Sequence, residues 1–418
     1  MRRFHLSAIA GLVLAASVPH TAAATDGYFT HGVGTQAKGM AGAAIAYPKE
    51  ALSIAVNPAS ATALGNRFDI GAEYFRPTRS STIRGNGFGP DQSFGGNDKG
   101  AFYIPDLGYV RQIDDRLAVG LAVYGNGGMN TDYRDNPYAR FGATGKAGVD
   151  LQQLFLSPTV AYRIAEGHSL GIALNIVNTR FKAQGIGAFA RLSEQPSAVS
   201  NKDRDDAWGA GLRIGWLGQL TPWLSVGASW QSKSHGGSLR KYRGLFADQG
   251  DFDVPAAYGV GIAVKASEAL DIAVDVRRIA YSDVGAVGND FQRLFTGKAL
   301  GSDDGPGFGW KDTTSIKIGA NYRIGPDWQV RAGYGYTTQP IPRGQTFLNI
   351  LAPGAIQHQI TAGATWSATK DIDVSVYGLY GLPASVKGSG SIPGAFGGGE
   401  ANIRLSEVAL GGGLAWRF

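Results

Sequence analysis

Residues that could carry catalysis or hold a metal ion are sparse in this chain. None of the 418 residues is cysteine, which excludes disulfides, thiolate nucleophiles, iron–sulfur clusters and cysteine-based zinc sites together. The histidines are not spaced as metal ligands, and no glycine-rich phosphate loop follows a strand and opens a helix. We therefore expect no metal site and no cofactor. The six histidines are His5, His20, His31, His168, His235 and His358.

A hydrolase site would need a serine and a histidine oriented by a third polar group. His358, between Gln357 and Gln359, could join such a site in three dimensions, although an ordinary strand residue is the simpler interpretation. No local sequence motif indicates a set of catalytic residues. We predict that the chain has no catalytic residues and is not an enzyme.

The composition indicates a folded protein that differs from a typical cytosolic enzyme. Glycine supplies 62 residues, charged residues make up 17% of the chain and hydrophobic residues 44%, so apolar surface can be buried. Length alone suggests two or three domains, but a single large β-barrel is an open alternative. The net charge of +6 is too small and too scattered to indicate a nucleic-acid partner.

Residues 1–24 have the pattern of a signal peptide. Arg2 and Arg3 precede a mostly apolar stretch over residues 4–18, and three alanines at 22–24 form a cleavage site. A transmembrane anchor is the alternative, but the apolar stretch is shorter than the roughly 20 residues that a bilayer helix needs. We expect cleavage after Ala24 and export to the periplasm, the exterior or the outer membrane.

Several segments alternate apolar and polar residues with the period of a β-strand. In the segment 315–323, Ile316 and Ile318 lie on one face and Lys317 and Asn321 on the other. Segments 258–265, 270–276 and 372–377 repeat the pattern. A soluble β-sandwich would show the same alternation with its apolar face inward. This pattern alone therefore does not distinguish a soluble sandwich from a membrane barrel.

The spacing of the connections favours a membrane barrel. Short turns and long loops alternate without exception between the strands, as in outer-membrane barrels with short periplasmic turns and long external loops. The sequence therefore predicts an all-β, 14-stranded antiparallel transmembrane β-barrel over residues 67–418. The predicted strands are 67–79, 100–113, 116–130, 150–165, 168–183, 208–221, 224–235, 254–267, 270–284, 312–325, 328–340, 355–369, 372–384 and 401–418.

The end of the chain supports the same assignment. Val408, Leu410, Leu414 and Trp416 share one face of the last strand, which ends at Phe418. A terminal aromatic strand residue resembles the signal by which barrel-assembly machinery recognises outer-membrane barrels. Six aromatic residues near strand ends would lie in interfacial girdles or pack in the core; they are Trp223, Trp230, Tyr281, Tyr322, Trp328 and Trp366.

Residues 25–66 do not continue the strand pattern. The stretch 35–47 is rich in small residues, and Asn57 followed by Pro58 has the form of a helix cap and first helical residue, with Gly65 as the stop. We predict a partly helical hatch that plugs the lumen. A periplasmic leader without a role in transport is the alternative.

The chain resembles the FadL/TodX family of outer-membrane transporters for hydrophobic compounds over essentially its whole mature length. The resemblance implies a fourteen-stranded barrel, a hatch carrying the motif Asn57, Pro58 and Ala59, and a ligand pocket beside a kinked third strand with lateral exit to the outer leaflet. The segments that carry it are His31-Gly-Val-Gly-Thr-Gln-Ala-Lys-Gly-Met-Ala-Gly-Ala-Ala-Ile-Ala46, Asn57-Pro58-Ala59, Tyr124-Gly-Asn-Gly-Gly-Met-Asn-Thr-Asp-Tyr133, Trp310-Lys-Asp-Thr313 and Phe347-Leu-Asn-Ile-Leu-Ala-Pro353.

The third strand contains the predicted lateral gate. Glycine inside a strand weakens the ladder and marks a bulge or the close approach of another backbone. The alternative is that these glycines only turn a corner of the barrel. The predicted gate residues are Tyr124, Gly125, Asn126, Gly127 and Gly128.

Candidate ligand-binding residues fall into an apolar and a basic set. The loop 341–354 is too apolar for a porin of polar solutes and predicts an exposed binding surface, unless its side chains pack on one another as a cap. A basic side chain would orient a carboxylate head group. The apolar candidates are Phe347, Leu348, Ile350 and Leu351, and the basic ones are Arg180, Lys182 and Lys317.

The basic candidates differ in the face of the barrel on which the sequence places them. Arg180 and Lys182 match a basic position of the family, but strict alternation places Arg180 outward, where it would face lipopolysaccharide phosphates unless the strand is bulged. Lys317 lies on the polar, lumenal face of the tenth strand.

We therefore predict a monomeric transporter that takes a hydrophobic small-molecule ligand and contacts outer-membrane lipid and lipopolysaccharide, with no nucleic acid. Long-chain fatty acids are the expected substrates. Aromatic or alkane hydrocarbons, a general porin, or a lipid hydrolase are the alternatives.

Overall fold

A computed structural model describes residues 26–418, and the predicted signal peptide lies outside this range. Within it, fourteen antiparallel strands close into a barrel, because β14 pairs with β1 from Arg67–Arg417 to Arg84–Glu400. The predicted fold is confirmed. The strands are β1 Arg67–Arg84, β2 Phe102–Gln112, β3 Leu117–Tyr133, β4 Ala147–Ala165, β5 His168–Gln184, β6 Asp205–Thr221, β7 Leu224–Gln231, β8 Ala257–Lys265, β9 Leu270–Ile279, β10 Thr313–Ile324, β11 Trp328–Thr337, β12 His358–Ser367, β13 Ile372–Val386 and β14 Glu400–Arg417.

The two faces of the strands are arranged for a lipid surrounding. In β10, Ser315, Lys317 and Asn321 are buried toward the lumen, whereas Ile316 and Ile318 are exposed on the outer surface. Water would favour the opposite arrangement, with apolar side chains inside. The inversion excludes the soluble sandwich and is the pattern of a transmembrane barrel.

Short helical turns occur in the N-terminal segment and in the long loops. Two further short strands, Gln92–Gly95 and His235–Gly236, pair with β1 and β6 outside the barrel wall. None of the helices in residues 26–418 is long and apolar enough to cross a membrane. The α-helical turns are Thr35–Lys38, Ala247–Gly250 and Gly285–Gly288; the 3-10 turns are Ala51–Ala55, Pro58–Ala63, Ala139–Phe141, Gly187–Leu192, Pro196–Ala198, Arg240–Tyr242, Tyr281–Asp283, Phe291–Thr296, Arg343–Gln345, Leu348–Ile350 and Gly394–Phe396.

The N-terminal segment lies against the inward side chains of the barrel. The backbone N–H groups of Ala44 and Ile45 donate to Asp275 Oδ2 on β9 at 2.7 and 2.9 Å. Three strands farther round the barrel, Ala41 N donates to Thr361 Oγ1 on β12 at 2.9 Å. Polar lumenal side chains therefore satisfy the backbone of a segment that has little regular structure of its own.

The Asn57-Pro58-Ala59 motif fastens this hatch to the wall. Asn57 Oδ1 accepts from Ala59 N at 3.1 Å, and Asn57 Nδ2 donates to the carbonyls of Ile45 at 2.8 Å and Trp216 at 2.9 Å. A Cβ at Gly215 on β6 would overlap the Asn57 amide. The glycine on the strand and the asparagine in the hatch thus form one close contact.

The external loops pack into an apolar cap. Phe347, Leu348, Ile350 and Leu351 are at most 5% exposed, and Phe347 contacts the rings of Phe141, Phe189 and others. The expectation that this loop exposes an apolar surface is wrong, because the loops bury their apolar side chains against one another. Whether these residues bind ligand stays a prediction.

Candidate functional site

The third strand is interrupted where the sequence predicts it. The pairing of β3 with β4 shifts register between Gly125 and Gly127, which leaves Asn126 as the extra residue of a bulge. On its other edge, the ladder between β2 and β3 stops at Leu107–Val123. Continuing that register would set Pro105 opposite Gly125, and proline cannot donate a ladder hydrogen bond. A gap therefore separates β2 from residues 124–131 of β3, and beyond it Asp132 pairs with Asn97.

The chain's own N-terminal segment occupies the edge of β3 that β2 leaves free. Phe29 forms a bridge with Gly127, Thr30 N donates to the Asn126 carbonyl at 2.6 Å, and Gly128 N donates to the Tyr28 carbonyl at 2.9 Å. A Cβ on Gly127 would overlap the Tyr28 carbonyl oxygen. Glycine is required here for the close approach of a second backbone, as the sequence analysis expected.

Asp26 anchors the start of this gap segment, which we define as residues 26–30. Its Oδ2 is 2.6 Å from Lys317 Nζ on β10, and its Oδ1 accepts from Thr337 Oγ1 on β11 at 2.8 Å. Lys317 also donates to the His31 carbonyl. The side chains of Asp26 and Lys317 are 1% and 4% exposed, so the charge of Lys317 is already paired within the protein.

Tyr281, which closely follows β9, also holds the gap segment. Its hydroxyl donates to the Asp26 carbonyl and accepts from Tyr28 N at 3.1 Å and Phe29 N at 3.3 Å. The side chain is fully buried, so the prediction of an interfacial girdle position is wrong for this residue. The chain turns inward after β9 and carries Tyr281 into the core. Tyr281 therefore packs in the core, which was the alternative to a girdle position.

The other basic candidates lie away from the lumen. Arg180 is exposed on the outer face of β5 and donates to Asn178 Oδ1 at 2.9 Å, and Lys182 is half-buried on the same face. No bulge in β5 turns Arg180 inward, so its side chain points outward, as strict alternation along the strand predicted. That Arg180 and Lys182 bind ligand stays a prediction.

Two arginines that the sequence analysis did not select face the lumen. Arg213 on β6 and Arg277 on β9 line one cavity of about 50 Å³ together with Lys317, Tyr124 and Asn126. Arg213 donates to Gln231, and Arg277 lies 5.2 Å from the centre of the Phe29 ring. Among the described residues, neither arginine has a carboxylate within ion-pair distance. Alternation could have found both, since each shares the inward face of its strand.

A second cavity, more apolar, adjoins the gap. Its volume is about 40 Å³, and Phe75, Met129, Trp310 and Leu405 contribute to its walls. Both cavities are small and lie inside the barrel, where the gap segment borders each of them.

Burial shifts the protonation of two hatch residues. It raises the pKa of Glu50 to about 7, reinforced by the charge of Asp69 and opposed by hydrogen bonds from the backbone of Ala37 and Gln36. It lowers the pKa of the His31 imidazole well below its usual value. His31 is therefore neutral at physiological pH.

A closed barrel with an apolar outer surface, a polar interior filled by its own N-terminus and an interrupted wall strand defines the class of plugged membrane transport barrels. Residues 12–380 match the family described as outer membrane protein transport protein (OMPP1/FadL/TodX). The chain belongs to this family of outer-membrane transport proteins.

Curated relatives match either most of the chain or about a third of it. A long-chain fatty acid transport protein of Escherichia coli O6:H1 is 24% identical over 370 residues, which covers 79% of this chain and 81% of the relative. Outer membrane protein P1 of Haemophilus influenzae is 30% identical over 161 residues, covering 32% of this chain and 34% of that protein.

Solved structures share the fold. The toluene transporter TodX of Pseudomonas putida superposes with a TM-score of 0.69 at 18% identity, covering 93% of this chain and 99% of TodX. A FadL homologue of Pseudomonas aeruginosa gives 0.69 at 17% identity, covering 94% of this chain and all of that one.

Proposed function

We propose that this protein takes up hydrophobic compounds, in particular long-chain fatty acids, and releases them sideways into the outer leaflet between β2 and β3. One observation carries the proposal: the β2–β3 ladder ends at Leu107–Val123, and between this point and the bridge of Asp132 with Asn97, residues 28–30 pair with the free edge of β3. A segment as short as residues 28–30 can detach from the edge of β3 without unfolding the barrel.

The energetics of a hydrophobic cargo favour this exit. Each CH₂ group gains about 0.8 kcal/mol when it leaves water, so a long chain descending a wet lumen would meet a large barrier. A gap in the wall delivers the chain directly to lipid. The hatch, fastened to β6 by Asn57 and to β9 by Ala44 and Ile45, can then stay in place.

Arg213 and Arg277 favour an acid over a neutral hydrocarbon. They line one cavity beside Tyr124 and Asn126 of the predicted gate, and a ligand carboxylate would supply the anion that the described residues do not place within 4 Å of either guanidinium. The fatty acid transport proteins among the relatives agree with this choice. Residues Phe347, Leu348, Ile350 and Leu351 form the cap through which the ligand would enter.

We propose no catalytic function, since the relatives that cover most of the chain are transport proteins. We expect barrel-assembly machinery to recognise Phe418, and residues 1–24 to be removed as a signal peptide. Residues 25–66 act as the hatch and residues 67–418 as the barrel of a monomer.

Uptake of labelled oleate tests the function. Expression of this protein in a host that lacks its own fatty acid importer should restore oleate uptake. Hexadecane uptake in the same cells gives the comparison with an uncharged alkane. The purified protein in planar bilayers should show no large steady conductance, because the hatch fills the lumen. Absence of uptake for both compounds, or porin-like conductance of the intact protein, would refute the proposal.

A further inference from the structure

The outer face of β5 changes from apolar to polar in its external half. The strand begins after the short periplasmic turn 166–167 and ends at the long external loop 185–204. Asn178 is the first polar residue above the apolar run, and it pairs with Leu154 on β4 and with Trp208 on β6. The apolar band of a membrane barrel ends near an aromatic girdle, so this row marks the external limit of the hydrocarbon region. The outward residues of β5 below it are Leu170, Ile172, Leu174 and Ile176.

Two cations lie directly above this limit on the lipid-facing side of the wall. We call Arg180 and Lys182 the β5 basic patch. Arg180 Nε donates to Asn178 Oδ1 at 2.9 Å, and Asn178 is only 4% exposed. Within residues 26–418, the two terminal nitrogens of Arg180 make no hydrogen bond or ion pair. The buried amide therefore orients the guanidinium and leaves two parallel donors for one anion.

The acids nearest to the patch leave its charge uncompensated. Asp206 on β6 stands opposite Arg180 in the register, and Asp150 on β4 stands opposite Lys182. Asp150 already pairs with two other cations at 3.0 and 2.8 Å. In the part of the chain that the structure describes, neither cation of the patch has a carboxylate within ion-pair distance. An external anion would therefore find two positive charges available.

The position of the patch selects the kind of anion. The barrel wall separates Arg180 from the lumen, which Arg213 and Arg277 face, so a carboxylate carried inside the barrel is out of reach. Head groups of the outer leaflet lie at the height of the patch. A phosphate accepts a bidentate arginine and carries a second negative charge for a lysine. Trp208, 62% exposed beside Asn178, supplies the amphipathic ring that favours the boundary between head groups and acyl chains.

We propose that the β5 basic patch binds a phosphate of an outer-leaflet glycolipid, lipid A, and that Trp208 packs against the lipid beside that phosphate. The site lies on the outer wall, two strands from β3 and its gap, and is separate from the proposed uptake of cargo. Arg180 and Lys182 then hold the surrounding lipid instead of the transported acid.

Native mass spectrometry of the purified barrel in detergent tests this site. The protein is titrated with diphosphoryl lipid A and with the same glycolipid lacking both phosphates, in EDTA, since divalent cations would link phosphate to acidic residues. We expect the unsubstituted protein to bind the phosphorylated form at least tenfold more tightly. Arg180→Gln/Lys182→Gln should lose this preference, and Arg180→Lys, which keeps the charge without the two-pronged donor, should lose part of it.

A charge-matched control separates the patch from general electrostatic attraction. Arg116 and Lys370 are exposed cations in the short periplasmic turns 113–116 and 368–371. Arg116→Gln/Lys370→Gln removes the same charge as the patch variant and should keep the full preference for the phosphorylated lipid. Correct folding of each variant is checked by heat-modifiable gel migration, and Arg180→Gln alone decides should the double variant not fold.

Three results would overturn the assignment. The first is equal affinity of the unsubstituted protein for the two glycolipids. The second is a preference for phosphate that survives Arg180→Gln/Lys182→Gln. The third is displacement of diphosphoryl lipid A by an equal concentration of oleate, which would assign the patch to fatty acid carboxylates.

Discussion

Asp26 and Lys317 form a buried ion pair across 291 residues of sequence, with 2.6 Å between Oδ2 and Nζ. The pair joins the gap segment to the tenth strand. Because the same segment completes β3 at Gly127, the ion pair on one side of the lumen holds closed the interruption of the wall on the other.

Replacing Asp26 with Asn should leave the Lys317 charge buried without its anion. Such a loss costs about 3–5 kcal/mol when the remaining charge stays buried, so we expect the gap segment to detach from β3. The measurement is maleimide labelling of Thr30→Cys with and without Asp26→Asn, in which the double variant labels faster. Thr337→Val, which removes only a neutral donor to Asp26, should have a smaller effect; equal rates in all three would refute the anchor.

Arg213→Gln and Arg277→Gln should each weaken oleate binding roughly tenfold to a hundredfold, since a hydrogen bond to a charged group contributes about 1.5–3 kcal/mol. Binding of hexadecane should be spared, because it has no carboxylate. Arg404→Gln, at an exposed position on the outer face of β14, is the matched control and should leave oleate binding unchanged. An equal loss for oleate and hexadecane would mean that the arginines act on packing alone.

Glu50 gives the hatch a pH dependence with a defined sign. Its pKa in the folded protein, about 7, lies above the ordinary value of 4.5, so the folded state binds the proton more tightly than the unfolded state. Stability from this group is complete below the unfolded pKa and is lost as pH rises through about 7. Urea unfolding at pH 5 and pH 8 should differ less for Glu50→Gln than for the unsubstituted chain; identical differences would contradict the assignment.

Gly127→Ala tests the close contact at the gap. The new Cβ would occupy the position of the Tyr28 carbonyl oxygen, and we expect a loss of about 1–3 kcal/mol in the free energy of unfolding, typical of overpacking. At Gly412 on β14, the nearest atom to an added Cβ is 3.7 Å away. Gly412→Ala should therefore be nearly neutral, and equal effects at the two positions would argue against the contact.

The strands and the interruption of β3 could be predicted because both are local properties of the sequence. Alternation identifies the two faces of β10, and Gly125, Gly127 and Gly128 mark the bulge directly. The partner of that bulge could not be predicted, because contacts between Tyr28 and Gly128, or Asp26 and Lys317, join residues that only the closed barrel brings together.

Burial of the loop side chains was also beyond the sequence. Phe347 and Leu348 read as exposed because they lie between strands, and only packing against Phe141 and Phe189 from other loops removes them from water. Arg213 and Arg277 were overlooked for the opposite reason: their inward position follows from alternation, but the lack of an acidic neighbour emerges only in three dimensions.

Two engineered disulfides test lateral exit most directly. The Asp26→Cys/Thr337→Cys pair would lock the gap segment to β11, where the native side chains are 2.8 Å apart. The Thr62→Cys/Ser169→Cys pair would lock the hatch to β5, where the hydroxyls are 2.7 Å apart, and would leave the gap segment free. Labelled oleate uptake is measured for each pair oxidised and reduced, with correct folding checked by heat-modifiable gel migration. We predict that oxidation abolishes uptake in the first pair and spares it in the second. Undiminished uptake with the gap segment locked, together with loss of uptake when the hatch is locked, would contradict lateral exit and indicate passage through the hatch.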